Sequence, residues 1–186
     1  MKKLQSISVL ALVLVSFTAC NNNDDVTAPV NEEEVITTVK VTLTGGGETI
    51  TLQSKDLDGD GPNDPVVTVD GNLVAGTTYT GTTTFLNELA NPIEDITEEV
   101  EEEGADHQIF YQLTSSLGTV TYDDVDANGN PIGIDFTLAA GTASSGNLTV
   151  TLRHLPNKSA SGVASGDITN AGGSTDAAVS FPITIN

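Results

Sequence analysis

Val35-Ile36-Thr37-Thr38-Val39-Lys40-Val41-Thr42-Leu43 decides how this chain is read. Polar and apolar residues alternate along most of it, and nearly all are β-branched. Successive side chains of a strand point to opposite faces, so the alternation sets one face on a core and the other in water. Branching at Cβ suits the pleated, half-buried surface of a sheet. Gly45-Gly46-Gly47 breaks the run and residues 49–53 resume it, which predicts a hairpin. The same signal recurs at 66–69, 78–86, 108–114, 119–122, 134–138, 148–153 and 177–185. A tight-turn pair, Asp70-Gly71, follows the first of these.

Short strands separated by Gly, Asn and Asp turns are the pattern of an antiparallel sandwich. The expected fold class over residues 35–186 is therefore all-β, a single antiparallel immunoglobulin-like β-sandwich in architecture. The Cys and Trp spacing of true immunoglobulin domains is absent, since the chain has one Cys and no Trp. Asp95-Ile96-Thr97-Glu98 departs from the β pattern and has the form of a capping box. Glu98, Glu99, Glu101, Glu102 and Glu103 continue it, and Gly104 can stop a helix. A short acidic helix over 96–103, or an acidic loop, is predicted. It serves either as a solvated crossover or as a cation-attracting patch. Residues 159–175, rich in Gly, Ser, Ala and Asn, form a long loop before the last strand.

The chain has 186 residues, 6 Lys+Arg, 26 Asp+Glu and a net charge of −20. That length fits one domain with appendages. The charge excludes a nucleic-acid binder, which needs cations to displace the counterions of phosphate. One Cys excludes a disulfide framework and a Cys-based zinc cluster. At the start, Lys2 and Lys3 precede an apolar run, 7–17, shorter than the roughly 20 residues that span a bilayer. The run ends Phe17-Thr18-Ala19-Cys20, which resembles a bacterial lipobox with Phe17 in place of the usual Leu. Residues 1–19 thus read as a lipoprotein signal peptide and Cys20 as the lipidated first residue of the mature chain. Residues 20–34, with Asp24-Asp25, Pro29 and Glu32-Glu33-Glu34, read as a flexible acidic tether. Anionic lipid repels such a surface, so the lipid anchor must supply the membrane attachment. An acidic pair behind the lipidated Cys resembles the surface-export signal of Bacteroidota lipoproteins. The expected location is the outer membrane, facing the cell exterior, with the periplasm-facing leaflet as the alternative.

Three groups of side chains suit metal chemistry. Asp56, Asp58, Asp60 and Asp64 stand at positions 1, 3, 5 and 9 of a loop with Gly61 at position 6. Alternating carboxylates in a turning loop can deliver oxygens to Ca²⁺. The loop resembles those of dockerin and thrombospondin repeats, but Val67 occupies the twelfth position, where an EF-hand carries Glu. The plain alternative is a hydrophilic turn. Asp124, Asp126 and Asn128, with Asp135 at the twelfth position, form a second run. There Asn128-Gly129 is equally a hairpin turn. His107 and His154 are the third group. His107 begins one strand and His154 ends another. If those strands are neighbours, the imidazoles converge near Glu102, Glu103 or Asp106 and suit Zn²⁺. Otherwise they are unrelated surface histidines.

Catalysis is poorly supported, leaving a hydrolase only as a further rival: there is no Gly-x-Ser-x-Gly elbow and no phosphate-cradling loop with Lys. At Glu94-Asp95-Ile96-Thr97-Glu98-Glu99, Asp106-His107-Gln108, Leu152-Arg153-His154 and Gly166-Asp167-Ile168-Thr169-Asn170-Ala171-Gly172-Gly173, the chain resembles small lipoproteins of Bacteroidota, flavobacteria especially. Some of these carry the label "type 1 periplasmic binding" protein. That label implies a two-lobed α/β fold, which the β pattern contradicts, and the resemblance implies no activity for any residue. The function expected is that of a lipid-anchored, non-enzymatic outer-membrane protein that binds a divalent cation or assists a surface receptor or transporter. The rivals are a ligand-free adhesive or structural module and a carbohydrate-binding module. Against the latter stands the low aromatic content, with Tyr79, Tyr111 and Tyr122 all in strand candidates.

Overall fold

The computed structural model describes residues 34–59, 61–114 and 117–186. The expected signal peptide, Cys20, nearly all of the tether and Asp60 lie outside the described residues. β1 (Thr38–Gly45) and β2 (Glu48–Lys55) form the hairpin read from the opening stretch. Its loop is Gly46-Gly47, with φ of 61° and 86°. Glycine reaches this left-handed region without a Cβ clash, and two such residues match the twist of the flanking strands. Then follow β3 (Val66–Val69), β4 (Thr78–Asn87), β5 (Glu94–Asp95), α1 (Ile96–Glu102), β6 (His107–Leu113), β7 (Gly118–Tyr122), β8 (Asp135–Ala140), β9 (Ser144–His154) and β10 (Ser174–Ile185).

The strands make two antiparallel sheets. One runs β3-β2-β1-β4-β8-β7, with the short β5 beside β4. The other runs β10-β9-β6. Alternate residues of the larger sheet are buried, among them Val39, Val41, Leu43, Leu52, Phe85, Phe136 and Leu138. They share one core with Ile109, Tyr111, Leu148, Val150, Leu152, Phe181 and Ile183 of the smaller sheet. The fold is an all-β, two-sheet antiparallel sandwich, as the alternation predicts. Among the described residues, no helix is long and apolar enough to cross a membrane.

α1 closes one end. Asp95 caps it by accepting the Thr97 N–H at 3.0 Å, and Ile96 and Val100 bury its inner side. Two segments differ from expectation. Asp70-Gly71 closes no hairpin: Asp70 accepts the Thr51 N–H, and the chain continues to Leu73, which bridges Ile185 in parallel. This carries the chain from one sheet's edge to the other's and buries Leu73, at 2% exposure. The loop expected over 159–175 is packed rather than free. Val163 and Ala171 rest on Phe110, and Gln108 Nε2 donates to the Val163 carbonyl at 2.9 Å. β6 is thereby covered on both faces, and His107 to Tyr111 are all buried.

Candidate metal centre

The register of β6 on β9 sets His107 directly opposite His154. By strand alternation His107 shares the inner face with Ile109 and Tyr111, and His154 shares it with Leu152 and Val150. The two imidazoles therefore meet at the end of the core, where the Glu103 carbonyl follows α1. β10 brings the third group. Thr175 pairs with Arg153 and Ala177 with Leu152, so Asp176 is the extra residue of a β-bulge. A bulge re-aims a side chain, and here it turns a carboxylate toward the histidines. Arg153 pins the segment from outside, donating to the Gly172 and Gly173 carbonyls and to Thr175 Oγ1.

Ligand atoms of His107, His154 and Asp176 all lie within 4.8 Å of one another. His107 Nε2 is 3.9 Å from Asp176 Oδ2, and these side chains are 0% and 1% exposed. The imidazole rings stack with centroids 4.7 Å apart and planes 19° apart. His107 Nδ1 lies 3.2 Å from the Glu103 carbonyl oxygen. A carbonyl only accepts, so Nδ1 carries the hydrogen and Nε2 keeps its lone pair. This is the outer-shell contact that orients metal-binding histidines. Neither His107 Nε2 nor His154 Nδ1 has a hydrogen-bond partner. Leaving a buried polar atom unsatisfied costs about 1–3 kcal/mol, so two side by side call for a partner. Burial holds the His107 pKa below its ordinary value, against the Glu103 carbonyl, and so favours the neutral, metal-competent imidazole.

Two imidazoles and one carboxylate suit Zn²⁺ and its transition-metal neighbours, whereas Ca²⁺ takes six to eight oxygens. Bond lengths of roughly 2.0–2.1 Å place tetrahedral donors about 3.4 Å apart. The set is wider than that as it stands, with His107 Nε2 3.9 Å from Asp176 Oδ2 and all ligand atoms within 4.8 Å of one another. A further carboxyl stands nearby. Glu34 is pushed up to about 7 by burial, by Glu99, to which it hydrogen-bonds, and by Asp176 and Glu103.

The other candidates have other company. Asp56 Oδ1 accepts the Gly59 N–H at 2.9 Å, and Asp58 Oδ2 accepts Asn63 Nδ2 at 2.6 Å, so both carboxylates shape a turn. Asp56, Asp58 and Asp64 line a shallow depression with Asn63. Asp124 accepts the N–H groups of Gly133, Ile134 and Asp135, and Asp126 those of Asn128 and Asn130 together with the Lys158 ammonium. Asp135 accepts the Thr82 hydroxyl. Asn128-Gly129 turns a small hairpin closed by a Val125–Pro131 bridge. Those oxygens hold the loop's own backbone. Glu102, Glu103 and Asp106, expected beside the histidines, are replaced in the ligand set by Asp176. Sequence reading passed over Asp176 because it stands just before the alternating run 177–185. No family model matches this chain, and neither does any curated protein or solved structure.

Proposed function

We propose that this chain is a lipid-anchored, non-enzymatic outer-membrane protein whose sandwich holds one divalent transition-metal ion, Zn²⁺ in the first instance, between His107, His154 and Asp176. The observation that carries the metal reading is the pair of buried imidazole nitrogens without hydrogen-bond partners, facing a carboxylate on a bulge. The tautomer fixed by the Glu103 carbonyl supports it, because it leaves the inward nitrogen ready to donate its lone pair. The anchor reading is supported by the position of the chain's one Cys directly behind a short apolar run. The strongly acidic surface enriches cations near the protein. The carbohydrate-binding rival is weakened by burial: Tyr79 and Tyr111 lie in the core, and Phe85, Phe110, Phe136 and Phe181 are fully covered.

Binding to the native state stabilises by RT ln(1 + [L]/Kd), about 2.7 kcal/mol at a hundredfold excess over Kd. Zn²⁺ at that excess should raise Tm by roughly 5–10 °C for a domain of this size. Mg²⁺ and Ca²⁺ at equal concentration should do much less, and His154→Ala should remove the Zn²⁺ effect. Equal shifts with all three ions, unchanged in His154→Ala, would reduce the effect to screening of an acidic surface.

A further inference from the structure

We propose that the end of the sandwich at which the chain enters is a docking surface for a neutral lipid bilayer, the one its own anchor occupies. The inference rests on reading Cys20 as lipidated. Thr37 is the hub of this end. Its N–H donates to the Leu86 carbonyl at 2.9 Å, its carbonyl accepts the Asp56 N–H at 2.8 Å, and its hydroxyl oxygen accepts the Glu88 N–H at 2.8 Å. The connection from β2 to β3 and that from β4 to β5 therefore flank the entry of the chain. Six of the nine exposed large hydrophobics among the described residues lie here: Val35, Leu57, Val66, Val67, Leu89 and Ile93, each 40% to 65% exposed. Val66 and Val67 belong by register, since Val66 pairs with Lys55 and Lys55 with Thr38. Apolar side chains scattered singly over a surface need no explanation, but a gathering at one end marks a contact.

The occupant follows from where the lipidated residue stands in the chain. Glu34 comes fourteen residues after Cys20, and a chain of that length reaches at most about 50 Å. The anchor thus holds this end nearest the bilayer, while the Gly46-Gly47 turn lies a strand's length further off, about 25 Å. A covalent anchor presents the apolar tip to the membrane at high effective concentration, so weak insertion suffices. Charge decides the lipid. Asp58, Glu94 and Asp95 are exposed among these side chains, and Glu88 takes the Lys55 ammonium. An anionic surface repels such a rim and a zwitterionic one does not.

The chain has no Trp, so one introduced at the tip reports its surroundings without background. The full lipidated chain is extracted from membranes in detergent and reconstituted on phosphatidylcholine vesicles. Leu89→Trp and Ile93→Trp should emit further to the blue than the same variants carrying Cys20→Ser, free in solution. Lipids brominated on the acyl chain should quench them, as for side chains buried roughly 5–10 Å into the headgroup boundary. Val74→Trp should show neither effect, because its backbone N–H is held by the Tyr79 hydroxyl near the opposite end of β4. Leu89 and Ile93 are exposed, so each variant should keep the wild-type urea midpoint. Replacing part of the phosphatidylcholine with phosphatidylglycerol should weaken the quenching. If both tip variants float with the vesicles yet emit as they do in solution, the docking surface is overturned and the anchor stands. A blue shift without quenching would assign this end to a protein contact and overturn the lipid. If wild type does not float with the vesicles, the lipoprotein reading falls and this one falls with it.

Discussion

Lys158 Nζ lies 2.5 Å from the Gly104 carbonyl oxygen, 2.8 Å from that of Pro131 and 3.0 Å from Asp126 Oδ2. One ammonium thus ties together the turn after α1, the hairpin after β7 and the loop after β9. Burial disfavours that ammonium, and Asp126 offsets the cost. For Asp126 itself, burial works to raise the pKa. The Asn130 N–H, the Lys158 ammonium and the Asn128 N–H outweigh it and hold the carboxyl below its ordinary 3.8. Removing one partner of a charged hydrogen bond leaves the other uncompensated, so Lys158→Met should cost roughly 2–3 kcal/mol in urea unfolding at neutral pH. An acid with a depressed folded pKa contributes stability that is complete above its unfolded value and lost as pH falls through the folded one. The stability gap between wild type and Asp126→Asn should therefore be full at about pH 5 and shrink below about pH 3.8. A gap that stays constant across that range would remove Asp126 from the acid-sensitive set.

Elements were legible where their period was clean. The alternating runs read at 35–43 and 78–86, and the short β-branched run at 66–69, agree with β1, β4 and β3 to within a few residues. α1 was legible from its cap and its Glu run, and it occupies Ile96–Glu102. The pairing of His107 with His154 was legible only as a condition, because alternation gives a strand its faces but not its neighbour. Asp176 was not legible, since a bulge inserts one residue and leaves no compositional mark. The segment before β10 read as a long loop from its Gly, Ser, Ala and Asn content, which does not show what holds it. Its hold comes from two small apolar residues, Val163 and Ala171, seated on Phe110. Phe110→Ala should therefore lower stability by roughly 3–5 kcal/mol, as for other buried aromatics. It should also speed amide hydrogen exchange across residues 156–173 more than across β1 or β4. Uniform acceleration would mean that the loop's order does not depend on this side chain.

At the scale of the whole molecule, the proposed anchor is tied to the charge. A chain of net charge −20 gains nothing from an anionic membrane, so under the lipoprotein proposal attachment would depend on lipid at Cys20. Cys20→Ser should move the protein from the membrane fraction to the soluble fraction, and sedimentation with membranes after a salt wash would end the lipoprotein reading. In the sandwich itself, His107 is fully buried and stacks on His154. The central claim is that two imidazoles and a carboxylate, joined by the register of three strands, hold one metal ion. X-ray absorption at the zinc edge of the Zn²⁺-loaded protein tests it most directly. The account predicts two imidazole nitrogens at about 2.0–2.1 Å with oxygen ligands at about 2.0–2.2 Å, and loss of imidazole scattering in the His107→Ala, His154→Ala double variant. An oxygen-only shell in wild type, or imidazole scattering that survives in the double variant, would contradict it.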